Sequence, residues 1–245
     1  MHNPTRRDLL RDSLLLGATV ASSSIVSVAE AVQASEQKSG KEPEVTATED
    51  LMREHGVIRR ALLVYAEVVP KLRQDAAGVD ASAIRKTAQL FREFGENYHE
   101  KMLEEQHIFP RIRTMGKPEL TRYADILTAQ HQRGREITDY ILAVTNASRI
   151  SSANAESLAK VFEGFVLMYE NHAAREDTII FPAWKTNFTD KQLDEIGDQF
   201  EEIEHTMFGK DGFDDAEQKI SGIETVLGFS DLGQFTPPAP PQPKS

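Results

Sequence analysis

Two stretches of this chain thread histidine and glutamate through otherwise apolar helical sequence and close on the same pair of residues. The first is Tyr98-His99-Glu100-Lys101-Met102-Leu103-Glu104-Glu105-Gln106-His107-Ile108-Phe109-Pro110. The second is Glu170-Asn171-His172-Ala173-Ala174-Arg175-Glu176-Asp177-Thr178-Ile179-Ile180-Phe181-Pro182, and the two Phe-Pro pairs stand 72 residues apart. Imidazoles and carboxylates that point into one helical bundle are costly to bury unless something binds them, and a metal ion is the simplest occupant.

Composition narrows the choice of ion. The chain has no cysteine, so disulfide frameworks and thiolate sites are excluded, and only nitrogen and oxygen ligands remain. That points to iron, manganese or zinc over softer ions. The 245 residues allow one ordinary domain with appendages, and a hydrophobic content of 40% can supply its core. A net charge of −11, without any dense Lys/Arg cluster, argues against a nucleic-acid partner.

The first 34 residues read as an address. Thr5-Arg6-Arg7-Asp8-Leu9-Leu10 resembles a twin-arginine export signal, followed by a moderately apolar run from Leu14 to Val28 and a cleavage site around Val32-Gln33-Ala34. The run is too short and too rich in Ser and Gly to span a membrane. The expectation is a signal peptide over 1–34, the twin-arginine translocase as a partner during export, and a periplasmic or exported mature protein without a stable membrane span. Residues 35–47, polar and with Gly40 and Pro43, read as a linker.

From there the pattern is helical. Thr48-Glu49-Asp50 starts a first helix, whose stripe of Leu51, Ile58, Leu62 and Tyr65 runs up to Pro70. A second runs from Asp80 or Ala81 to about Arg113, a third from Pro118 or Glu119 to about Asn146, and a fourth from Ala155 to about Lys185. Short connections between long helices favour antiparallel neighbours. The fold class expected is therefore all-α, an up-down antiparallel four-helix bundle over 48–186. A helical extension follows over 187–230, with one helix capped by Thr189-Asp190 and ending at Gly209, and a second from Asp214 to Leu227. Residues 231–245 form a Pro-rich tail.

Each bundle helix carries a histidine near one end: His55, His99, His131 and His172 in order. Odd helices begin, and even helices approach their ends, at the same end of such a bundle, so the four imidazoles reach a common level. His172 and Glu176 are four apart, hence about 40° apart around a helix, and can bind one centre together or bridge two ions. On the second helix His99 and Glu104 are five apart and diverge by about 140° in a regular helix. Either a one-residue π-bulge near Met102 realigns them, or Glu100 and Glu104 share the inner stripe with His107 and His99 turns sideways.

This order of His…His…Glu…His…His-x-x-x-Glu over about residues 48–186 resembles the hemerythrin-like, HHE cation-binding, family. The Leu51-Met52-Arg53-Glu54-His55-Gly56 opening and both Phe-Pro endings fit as well. The resemblance implies a non-haem diiron centre, with His55, His99, His131 and His172 as terminal ligands and Glu104 and Glu176 as bridges. The chain departs from the family's oxygen carriers twice: His131 is followed four residues later by Arg135 where they have a histidine, and His99 and Glu104 carry one extra residue between them.

Other residues have competing readings. Glu104 with His107, and Glu202 with His205, form Glu-x-x-His pairs of the ferritin-like type, but that arrangement leaves His55, His131 and His172 without a task. Glu100 and His205 are reserve ligands, His205 as a cap from the helix after the bundle. Glu105 and Asp177 are solvated or hold imidazole N–H groups, and Tyr98 and Tyr169 pack near the centre. The resemblance implies about two irons per chain that bind a diatomic ligand such as oxygen or nitric oxide, for storage, sensing or detoxification. The alternative is an oxidoreductase of peroxidase or ferroxidase type acting on peroxide or ferrous iron at the same centre.

Overall fold

The computed structural model describes residues 45–243, and all regular structure among them is helical. The expected signal peptide and nearly all of the expected linker lie outside the described residues. Helix α1 spans Ala47–Asp75, with Glu49 and Asp50 in its first turn, where the helix dipole favours negative charge. Leu51, His55, Ile58, Leu62, Tyr65, Val68 and Leu72 make one buried stripe at helical spacing. The helix does not stop at Pro70. That residue is exposed, so its ring lies on the solvent side, and burial of Leu72 beyond it carries the helix one further turn.

Helix α2 occupies residues 81–113 in three consecutive segments: Ala81–Leu90, a π-type stretch over Phe91–Ile108, and Phe109–Arg113. Asp80 caps its start by accepting from the backbone N–H groups of Ser82 and Ala83. After Gly116, held at φ 68° where a side chain would be strained, Pro118 opens α3 (Pro118–Val144). Helix α4 covers residues 152–185 as Ser152–Arg175, a second π-type stretch over Glu176–Ile180, and Phe181–Lys185. It thus begins a turn earlier than the sequence suggests.

The four long helices close a ring of neighbours: α1 lies against α4 and α2, and α3 against α2 and α4. Well along α1, Tyr65 stacks on Phe162 with ring centroids 4.5 Å apart, and Phe91 and Phe165 complete an aromatic core. Each such side chain, fully buried, contributes roughly 1.5–3 kcal/mol. Gains of this size offset the cost of the buried polar residues nearer the start of α1.

Two further helices cover the ring. Helix α5 (Asp190–Phe208) begins with a reciprocal capping box between Thr189 and Gln192 and ends at Gly209 with φ 67°. It packs on α1 and on the π stretch of α2, where Phe208 meets the rings of Tyr98 and Phe94. Helix α6 (Gly212–Leu227) lies against α1 and α2. It is fastened by Arg60, which donates to Glu217 (2.8 Å), Ser221 (2.7 Å) and Glu224 (2.5 and 2.9 Å). No described helix is long and apolar enough to cross a membrane, and the Pro-rich segment 236–243 is exposed.

Candidate metal centre

Four helices each deliver one buried histidine. His55 comes from the third turn of α1, His99 from the π stretch of α2, His131 from mid-α3 and His172 from α4, and none is more than 3% exposed. They converge in two pairs. The Nε2 atoms of His55 and His99 are 3.0 Å apart, and those of His131 and His172 are 3.1 Å apart.

Two carboxylates, both fully buried, join the pairs. Glu104 places Oε1 at 3.4 Å from His99 Nε2 and Oε2 at 3.2 Å from His131 Nε2. Glu176 places Oε1 at 3.0 Å from His172 Nε2 and Oε2 at 3.5 Å from His55 Nε2. Each carboxylate therefore touches one imidazole of either pair. All four of these oxygens are buried without a properly directed hydrogen bond, an arrangement that is expensive unless a cation satisfies it.

The spacing suits metal coordination. Donors at about 2.0–2.1 Å from an ion and roughly at right angles stand about 3 Å apart, which is the separation within each pair. Glu104, His131, His172 and Glu176 offer ligand atoms all within 4.8 Å of one another, as do His55, His99 and Glu104.

The helical register that achieves this is unusual. A π-type turn, bonded i→i+5, brings residues five apart onto one face, so His99 and Glu104 both point inward. The stretch is longer than the single bulge that the sequence suggests. A second π-type segment follows Glu176, which the sequence reading did not foresee. Both segments end alike: the backbone N–H of Phe109 donates to the carbonyl of Glu104, and that of Phe181 to the carbonyl of Glu176. In each case a proline follows, with no N–H to give and a ring that crowds an α-type turn. The signal was present in the repeated five-residue spacing from glutamate to Phe-Pro.

Outside the donors sits a layer that fixes the imidazoles. His55 Nδ1 lies 2.7 Å from Asp177 Oδ1, His99 Nδ1 2.7 Å from Glu54 Oε2, His131 Nδ1 2.9 Å from Glu105 Oε1, and His172 Nδ1 2.9 Å from Gln130 Oε1. Carboxylates and an amide oxygen stand as acceptors at Nδ1, so an imidazole that binds an ion would keep its proton there and offer the Nε2 lone pair to the centre. Arg59 braces Asp177 at 2.5 Å, Arg135 braces Glu105 at 2.6 Å, and the Tyr98 hydroxyl donates to Glu54 at 3.1 Å. Glu54 and Gln130 escaped the sequence reading, although each immediately precedes a histidine of the set.

The electrostatics match a cation site. Burial opposes charge on His99, but Glu104 and Glu54 outweigh it and raise its pKa well above the usual imidazole value. Burial likewise opposes charge on His131 and is outweighed by Glu100, Glu104 and Glu105. On His55 it is outweighed by Asp177 and Glu176. For Glu104 burial favours the neutral acid, yet His99 and His131 hold the carboxyl well below its usual range.

The reserve ligands divide: Glu100 joins Glu105 and His131 in a third group of possible donors within 4.8 Å of one another, and His205 stands apart. Glu100 is buried beside the centre, but its oxygens are engaged by the Tyr169 hydroxyl at 2.6 Å and Arg135 at 3.3 Å. His205 is exposed on α5 and does not reach the centre, because that helix turns Phe200 and Glu204 inward instead. His107 packs edge-on against Phe200, away from the paired histidines. The Glu-x-x-His alternative thus has neither of its histidines in the cluster.

Comparison with known proteins follows the same line. Residues 46–184 match the model of the Hemerythrin HHE cation binding domain. The chain is 43% identical over 198 residues to uncharacterized proteins of Mycobacterium bovis and of two strains of Mycobacterium tuberculosis, covering 80% of this chain and 76% of each relative. No solved structure matches. With more than half of its length under that domain model, this chain belongs to the hemerythrin HHE cation-binding family.

Proposed function

We propose that the protein is an exported non-haem diiron protein that binds a diatomic ligand such as oxygen or nitric oxide, for storage, sensing or detoxification. The observation that carries this reading is the pairing itself: two imidazole pairs, joined by two carboxylates whose four oxygens are buried without directed hydrogen bonds. His55 and His99 would hold one iron, His131 and His172 the other, and Glu104 and Glu176 would bridge them. In this reading the four long helices run alternately up and down, as in other bundle-held di-metal sites. When bound, a pair of irons supplies one-electron redox chemistry and positions for a small ligand.

The chain's own part is to position and to insulate. Asp177, Glu54, Glu105 and Gln130 orient the imidazoles, while Phe181 and Phe109 stack on His55 and His131 at 5.4 and 5.5 Å and keep water from their outer faces. Nitrogen and oxygen donors alone suit iron. The Arg6-Arg7 signal supports export by the twin-arginine translocase, which carries folded proteins and so suits a centre loaded before export.

A second reading, a diiron oxidoreductase of peroxidase or ferroxidase type, is favoured by one contact. The buried Tyr169 hydroxyl donates to the buried Glu100 carboxylate at 2.6 Å, with the tyrosine ring 5.2 Å from that of His172. This pair could hold a proton beside the centre.

Elemental analysis with an optical spectrum, on protein purified without chelators, tests the first reading. About two irons per chain support it; one zinc, or no metal, overturns it. Stable ligand binding without product supports the binding role, and catalytic loss of peroxide or ferrous iron supports the enzyme.

A further inference from the structure

The four imidazoles of the centre are not held alike. His55, His99 and His131 each give the Nδ1 proton to a carboxylate, of Asp177, Glu54 and Glu105 respectively. His172 alone gives it to an uncharged amide, Gln130, at 2.9 Å. The pair His55–His99 therefore has two anionic acceptors, and the pair His131–His172 has one.

We infer that the two metal positions are unequal: the His55–His99 position fills first and holds its ion more tightly, and the His131–His172 position is the exchangeable one. This rests on the di-metal reading above. Two physical effects carry it. A carboxylate acceptor at Nδ1 draws the proton outward and raises the basicity of Nε2, and losing such a partner typically weakens metal binding by about 10–100-fold. A carboxylate can also only accept, so it permits one imidazole tautomer. An amide can turn and donate instead, which would place the proton on the Nε2 of His172 and block its lone pair.

Longer-range charge does not supply the difference. Beside the first pair stand Glu54, Asp177 and the guanidinium of Arg59. Beside the second stand Glu105, Glu100 and the guanidinium of Arg135, which bonds both carboxylates. Each side has two carboxylates and one guanidinium. Glu100 bonds Tyr169 and Arg135 and no histidine Nδ1. What separates the positions is the acceptor at Nδ1 of His172.

The test is a cobalt(II) titration of the full-length metal-free protein, read by equilibrium dialysis and by the ligand-field absorption of the bound ion. The expected result is two steps whose dissociation constants differ by about tenfold or more. His55→Ala should remove the tighter step and His172→Ala the weaker one. Gln130→Glu, at a half-buried position that leaves every donor in place, should tighten the weaker step by about tenfold and leave the tighter one unchanged. Two equal steps in the unaltered protein, or a Gln130→Glu variant that changes neither step, overturn the inference while leaving a two-ion centre standing. Binding of one ion or none overturns both the inference and the di-metal reading.

Discussion

His99 and Glu104 are five residues apart on one helix, yet Nε2 of the first lies 3.4 Å from Oε1 of the second. Only the widened π register of α2 permits this. It also frees the other oxygen of Glu104 to reach His131 at 3.2 Å, so this carboxylate touches both histidine pairs. Losing it should therefore cost more than losing any one imidazole. Glu104→Gln keeps the shape and removes the charge, and it should bring the metal content of purified protein from about two ions per chain to below one. His55→Ala should leave about one. Elemental analysis of both variants, with circular dichroism as a check of fold, decides between them. Equal losses would show that Glu104 serves only one position.

Most of this arrangement is legible in the sequence, for reasons that can be stated. Asp80, Pro118, Thr189 and Gly209 punctuate the helices by local chemistry, and the structure starts or stops a helix at each. A histidine on every bundle helix is a pattern that survives errors of a residue or two in the helix ends. Register is another matter. Whether a turn is bonded i→i+4 or i→i+5 depends on packing along the whole helix, so the length of the first π stretch was hidden, and the second was signalled only by the repeated five-residue spacing from glutamate to Phe-Pro. Pro70 misled because its local cost is offset by packing beyond it, where the buried Leu72 holds the helix for a further turn. The partners of the imidazoles were partly hidden too: Glu54 and Gln130 look like ordinary polar helix residues until their neighbours across the bundle are known.

Gly134 and Tyr169 make a close fit beside the centre. A Cβ at Gly134 would lie 2.1 Å from the Tyr169 hydroxyl and 3.0 Å from the ring carbon that bears it. The ring cannot retreat easily, because Phe91 and Phe165 hold it at centroid distances of 4.9 Å. Gly134→Ala should destabilise the metal-free protein by roughly 1–3 kcal/mol through overpacking. Tyr169→Phe removes the hydroxyl and leaves Glu100 short of a donor, at about 1–3 kcal/mol by itself. Together the two changes should cost less than their sum, since the shorter ring relieves the clash. Urea unfolding of the single and double variants measures that coupling; strict additivity would show that the backbone of α3 moves instead.

Glu96 makes stability depend on pH. Its side chain is fully buried between α2 and α3. Burial raises its pKa to about 7 from the model-compound value of 4.5, with a further push from Glu100, against the pull of Thr138, Arg92 and Arg135. The folded protein therefore keeps a proton that the unfolded chain has released. Stability from this group is greatest below about pH 4.5, falls as pH rises towards 7, and stays reduced above that. The full effect is about 3 kcal/mol, lessened at the variant by loss of the 2.6 Å contact with Arg92. Glu96→Gln should flatten the fall between pH 5 and pH 8 and make the metal-free protein more stable at pH 8. Urea unfolding at the two pH values is the measurement, and an unchanged slope would show that other groups set it.

The C-terminal helix tests whether the extension supports the centre or only covers it. Arg60 is the main polar link between α1 and α6, through Glu217, Ser221 and Glu224. The Glu224 contact uses two guanidinium nitrogens against both carboxylate oxygens, the fork geometry that makes such pairs stronger than a point contact. The group is about one-third exposed, so solvent and salt screen it. Arg60→Ala should cost about 1–2 kcal/mol of unfolding free energy, and less in high salt. Metal content should not change, because α1 presents His55 through a buried stripe that Arg60 does not share. A loss of bound metal along with the loss of stability would mean that α6 holds α1, and with it His55, in the position that the centre requires.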